Sequence, residues 1–153
     1  MTASSNDLTR EPVVGPVLAI RTGLCLLIVV SGLALRGFGF SLGLSVFVVK
    51  YGGSALWAAM VLFLVAIVAS HSSRLSLALI SASIAVAVEL FRLVRAPWLD
   101  AFRLTLPGAL LLGRIFSPWN MLAYCVGVAL AAWLDRYTAS IFGPRLRRHA
   151  GAR

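Results

Sequence analysis

Only 12% of the 153 residues are charged, yet five charged side chains fall within the fifteen residues "ELFRLVRAPWLDAFR" (89–103). Glu89 and Arg92 are spaced i,i+3, which on a helix stacks them about one turn apart, and Asp100 lies near Arg95 and Arg103. Acids that orient arginines in this way suit phosphate binding, because a guanidinium grips a phosphate through two parallel N–H bonds. The alternative chemistry is proton transfer, with Glu89 or Asp100 as a general base on a lipid-linked substrate. No nucleophile–base pair, metal set or phosphate loop accompanies these carboxylates. A third use is a proton-coupled transport step through an acid lying within a membrane. The bland reading is that Glu89 pairs with Arg92 or with Lys50 and seals a helix end.

Other reactive residue types are scarce. Cys25 and Cys125 stand in apolar runs without the paired spacing of a metal or redox motif. His71 sits in a short loop and His149 in the C-terminal stretch, neither with a second ligand type at workable spacing. The expectation is therefore no metal and no cofactor. Net charge is +9, which in a soluble protein would suggest nucleic acid. Here no aromatic–basic motif supports that, and the arginines fall in loops and tail, where they set topology and meet lipid phosphates.

The elements that position these residues follow from hydropathy. With 60% hydrophobic residues and a mean hydropathy of +0.94, the chain has more apolar surface than one small soluble core can hide, so lipid is its natural solvent. An all-α membrane bundle of four transmembrane helices is expected, with spans at about 16–35, 53–70, 75–91 and 119–134. Residues 1–15 read as a disordered polar leader and 136–153 as a basic cytoplasmic tail. Gly32-Leu33-Ala34 would pass as a signal-peptidase site, but the long acid-containing leader and the later spans favour an uncleaved first helix. Arg21, near the start of the first span, is expected to snorkel to the nearer interface. Leu42–Val49 reads as a segment dipping into the interface, and "HSSR" (71–74) as a tight turn. "LTLPGALLLG" (104–113) is too short to span. It reads as one re-entrant or interfacial helix, with Pro107 in its first turn and Gly113 at its end.

With four spans, both termini and the 71–74 turn share a side that holds eight arginines. The other side holds Arg36, Lys50, Arg92, Arg95, Arg103 and Arg114. The bias places both termini in the cytoplasm of a bacterial inner-membrane protein. In the third span Ala78, Ala82, Ala85 and Glu89 share one face, with Ser81 beside them and Arg92 continuing the stripe. Such small residues let helices approach closely, so Glu89 should look into the bundle. In the fourth span Ala123, Gly127 and Ala131 form a similar ladder, extended by Asn120. Alternation of spans then gathers Lys50, Tyr51, Ser54, Glu89, Arg92 and Asn120 at one mouth, covered by the 92–118 connection with Trp98, Asp100 and Arg103. Trp57, Trp98, Trp119 and Trp133 also suit an interfacial belt.

Three segments carry a family resemblance: "KYGGSALWAAMV" (50–61), "ELFRLVRAPWLDAFRLT" (89–105) and "LGRIFSPWNMLAYCVGVALAAW" (112–133). They resemble a small bacterial membrane family known only as a domain of unknown function. Its pattern runs K-Y-x-G-D-A-L-W, then V-E-x-x-Q-x-x-x-A-P-W-L-D-x-x-R, then L-G-x-x-F-x-W-x-D-x-x-A-Y-x-x-G. The last part also looks distantly like the VanZ-like membrane proteins. The resemblance covers about residues 36–135. It carries over Lys50, Tyr51, Gly53, Leu56, Trp57, Glu89, Pro97, Trp98, Asp100, Arg103, Gly113, Phe116, Tyr124 and Gly127. Ser54 and Asn120 stand where the pattern has Asp, Arg92 where it has Gln, and Pro118 where it has Trp. These departures make the mouth more positive. The resemblance implies a multi-pass inner-membrane protein without an assigned activity. The residues add an expected partner, anionic lipid or an envelope precursor, with oligomerisation open.

Overall fold

In the computed structural model, residues 14–112 and 116–150 are described, and they form six helices: α1 (Val14–Phe38), α2 (Val46–Val68), α3 (Arg74–Phe91), α4 (Pro97–Leu104), α5 (Leu106–Leu111) and α6 (Pro118–Ala150). The class is all-α. The leader expected over 1–15 falls outside these residues apart from its last two, as do Gly113 and Arg114. Three helices, α1, α2 and α3, are long and apolar enough to cross a membrane. Their outward faces fit that solvent: Leu26, Leu27 and Val30 on α1 are each more than 60% exposed, which water would penalise and lipid does not. Helices are the form such segments must take, because hydrocarbon offers no partner for backbone N–H and C=O groups.

Helix α6 is longer than any of these, at 33 residues, but is not among the three apolar enough by composition. Its first five turns carry Asn120, Tyr124 and Asp135 among the apolar residues. It packs most closely on α2, which also packs on α1 and α3, so α2 is the centre of the bundle. At the α2–α6 crossing a Cβ on Gly127 would overlap the Ala55 carbonyl group, and only glycine allows that approach. The core between these helices is Cys25, Ala58, Ala59, Leu62, Phe63, Ala85, Val128 and Ala131, with Tyr124 at one end.

Several boundaries differ from the sequence expectation. Leu42–Val49, the segment expected to dip into the interface, forms a turn and then the start of α2, which begins at Val46, earlier than the expected span. The Ser45 side chain accepts the Val48 N–H and caps the helix, and Gly52–Gly53 stay helical in its interior. Such caps replace the bonds a first turn lacks. Ser73 caps α3 in the same way through Ser76. The short helix expected over 104–113 is α5, Leu106–Leu111, and a separate helix, α4, precedes it. Thr105 lies between them in extended conformation and its hydroxyl accepts the Gly108 N–H, closing α4 and opening α5. Gly108 is required there, since a Cβ would overlap the Phe102 carbonyl. At the C-terminal end α6 runs on to Ala150, so most of the stretch after 135 is helical.

Candidate functional site

Glu89 is the organising residue of one end of the bundle. It lies at the end of the buried α3 stripe Leu77–Ser81–Ala85–Glu89 and is fully buried. A carboxylate in that position is tolerable only if its oxygens are paired, and they are. Oε1 accepts the Ser117 backbone N–H at 2.7 Å and Asn120 Nδ2 at 3.2 Å. Oε2 accepts the Tyr124 hydroxyl at 2.7 Å, Asn120 Nδ2 at 3.4 Å and the Arg92 guanidinium. Arg92, whose side chain is almost buried, also donates through Nε to the Leu112 carbonyl. The acid of α3 thus fixes both ends of the connection into α6 as well as the first turns of α6 itself.

Neighbouring side chains extend the network. Asn120 Oδ1 accepts from the Ser54 hydroxyl of α2 at 3.3 Å, and that hydroxyl also reaches the Lys50 carbonyl. The Tyr124 ring packs on Trp57 with centroids 5.6 Å apart. Ser54, Glu89, Arg92 and Asn120 are therefore brought together as one network from three helices. Lys50 and Tyr51 stand at its rim. Lys50 is exposed, with Nζ 5.2 Å from the Tyr51 ring centroid, and Tyr51 packs on Phe47. Of the two partners weighed for Glu89, Arg92 is the one bonded.

Asp100 and Arg103 form a second, separate group on α4. Arg103 is buried and donates to Asp100 at 3.0 Å, to the Val94 carbonyl at 2.9 Å and to the Phe91 carbonyl at 2.7 Å. It thereby ties α4 to the open C-terminal end of α3, where carbonyls lack helical partners. Arg95 lies 3.8 Å from Asp100 but is largely exposed. Trp98 is 71% exposed and joins neither group. The α4 and α5 backbones pack on each other and on none of the four long helices, and the 92–118 connection reaches the Glu89 network through Arg92, Leu112 and Ser117.

The opposite end holds a charged site that the sequence reading missed. Arg21 does not snorkel. It is buried and grips Asp135 with two bonds, Nε–Oδ1 at 2.8 Å and Nη2–Oδ2 at 3.1 Å, and donates through Nη1 to the Ala66 carbonyl at 2.7 Å. One guanidinium links α1, α2 and α6. The signal was present: Asp135 is one further step of four along the Gly127–Ala131 ladder, and Tyr124 is one turn beyond Asn120. Among the described residues no group of His, Cys, Asp or Glu is placed to hold a metal ion.

These features define a multi-pass helical membrane protein with a buried polar network at each end of its bundle. The profile of a family described as "Protein of unknown function (DUF2809)" matches residues 44–128. That is more than half of the chain, and the protein belongs to this family. The matched segment contains the whole Glu89 network, whereas Arg21 and Asp135 lie outside it. No solved structure matches the chain.

Proposed function

We propose that this is a non-enzymatic bacterial inner-membrane protein that binds an anionic lipid or a lipid-linked envelope precursor at its Glu89 end. In this reading α6 is a fourth span and both termini are cytoplasmic. Two contacts support the span. Asn120 meets Ser54, about two turns into α2, and Asp135 shares Arg21 with Ala66 near its end, so residues 120–135 run alongside residues 54–66 of α2.

The observation that carries the binding reading is how the charges at this end are divided. The four lone-pair sites of the Glu89 carboxylate all face donors. Arg92 and Arg103 are committed to carbonyls and carboxylates within the protein. Both are thus framework residues, and Asp100 belongs with them. Arg36, Lys50 and Arg95 are exposed at the same end and form a positive rim for a phosphate headgroup, with Tyr51 and Trp98 at the depth where aromatic rings meet the interface. A saturated Glu89 has no oxygen to spare for a substrate proton, which counts against a general base. The apolar core between the two ends counts against an ion or proton path through the bundle.

The test is thermal unfolding of the detergent-purified protein with added phosphatidylglycerol or phosphatidylcholine. Selective stabilisation by phosphatidylglycerol is expected, and the triple variant Arg36→Ala, Lys50→Ala, Arg95→Ala should lose it while unfolding at an unchanged temperature without lipid. Equal stabilisation of wild type and variant would end the reading.

A further inference from the structure

The α4–α5 pair carries more exposed apolar surface than its few attachments explain. On α4, Leu99 and Arg103, one turn apart, form the buried stripe, while Trp98 and Phe102, also one turn apart, form an exposed one. Leu104 and Leu106 at the junction are 69% and 75% exposed, and Leu111 at the end of α5 is 52% exposed. Trp98, Phe102, Leu104, Leu106 and Leu111 are thus five large apolar side chains on fourteen residues of a unit that makes no backbone packing with the long helices.

The unit is held by side-chain bonds at both ends. Arg103 fixes α4 to the Phe91 and Val94 carbonyls, and Arg92 fixes Leu112 just after α5. Its internal corner is rigid because Gly108 packs against the Phe102 carbonyl under the Thr105 cap. Neither helix is long enough to cross a bilayer, since eight residues of α-helix reach only about 12 Å. The position along the membrane normal is set by α3, whose eighteen residues span about 27 Å. Phe91 therefore stands near one edge of the hydrocarbon layer of about 30 Å. The exposed Leu90, Phe91, Leu93 and Val94 carry the lipid-facing surface of α3 directly into α4. The occupant of the α4–α5 apolar surface is then the same one that covers α3.

We propose that α4 and α5 form a surface-inserted hairpin, lying in the plane of one leaflet with these five side chains at the boundary between headgroups and acyl chains. The partner is the bilayer itself, through its apolar layer, so the proposal needs no anionic lipid and stands apart from the binding reading above. A hairpin in this position also reports on the leaflet. Arg92 joins Leu112, just after α5, to Glu89, so a change in the depth of the hairpin pulls on one bond of the Glu89 network.

The experiment uses the full chain with Cys25→Ala and Cys125→Ala, reconstituted in phosphatidylcholine nanodiscs. Single cysteines replace Trp98, Phe102, Leu106 or Leu111 in turn, with Asp100 and Lys50 as controls, each labelled with an environment-sensitive fluorophore. Lipids spin-labelled near the headgroup should quench the four hairpin positions at least threefold more strongly than lipids labelled deep in the chain. Aqueous iodide should quench them weakly and quench position 50 strongly. Strong iodide quenching at all four hairpin positions would overturn the proposal by placing the hairpin in water. Protection from both quenchers would overturn it by placing a protein partner on that surface. Strongest quenching by the deep label would overturn it in favour of a re-entrant helix. Because these membranes carry no anionic lipid, none of the outcomes depends on the phosphatidylglycerol effect.

Discussion

The two ends of the bundle solve the same physical problem differently. Each buries a carboxylate on or against α6 and neutralises it with an arginine, yet Asp135 relies on a single bidentate partner, whereas Glu89 draws donors from Arg92, Ser117, Asn120 and Tyr124. The first arrangement is a clamp. It joins α1, α2 and α6 through one residue and would lose little if both charges were replaced by apolar groups of similar size, since a buried ion pair largely repays only its own desolvation. The second is a network, in which one acid satisfies donors from several segments and cannot be removed without stranding them. The Glu89 end is also the end within the family-matched segment.

The largest effect expected is from Glu89→Ala. It leaves Arg92 with only the Leu112 carbonyl and three further donors without their acceptor, and should destabilise the protein by about 3–5 kcal/mol, read as thermal unfolding in detergent. Adding Arg92→Ala should recover little of this. Recovery to near wild type in the double variant would show that the network is only a pair, and that the contrast between the ends is false.

Asp135→Ala should cost about 3 kcal/mol by leaving Arg21 buried with only the Ala66 carbonyl. Here the double variant Arg21→Met, Asp135→Leu should return to within about 1 kcal/mol of wild type, because no third donor is stranded. Unfolding temperatures of the two double variants, side by side, test the clamp-versus-network distinction directly. Tyr124→Phe has a smaller predicted effect, about 2 kcal/mol, since it deletes one hydrogen bond to a charged acceptor but keeps the ring on Trp57. A loss below about 0.5 kcal/mol would mean that the hydroxyl is not part of the network that Glu89 organises.

How far these ends could be read from sequence depends on what periodicity encodes. The inward direction of Glu89 was legible because Ser81 and Ala85 lie on its stripe and small residues mark helix contacts. The face of Asn120, Gly127 and Ala131 was legible for the same reason. The Arg21–Asp135 clamp was not, because each residue has a plausible solitary role at a helix end, and only the α1–α6 contact pairs them across 114 positions of sequence. The break at Thr105 that separates α4 from α5 also escaped. Its cause is a local competition, the Thr105 hydroxyl capturing the Gly108 N–H, and a hydropathy pattern does not carry that information. The burial of Arg92 and Arg103 was hidden likewise, since the carbonyls they bond become available only where α3 and α5 end.

The finest distinction between the ends is whether they feel each other. Asn120 and Asp135 are fifteen residues apart on α6, about 22 Å along the helix. The core between them is apolar, with Gly127 locked against Ala55. Charged networks separated in this way share no partner, and substitutions more than about 10 Å apart usually add to within about 0.5 kcal/mol. The unfolding free-energy losses of Tyr124→Phe and Asp135→Ala should therefore sum in the combined variant within that margin. Coupling of about 1 kcal/mol or more would mean that α6 moves as a rigid rod between two arrangements, so that a ligand at the Glu89 rim would be felt at Asp135. Additivity would instead make the clamp a fixed base on which the other end alone changes.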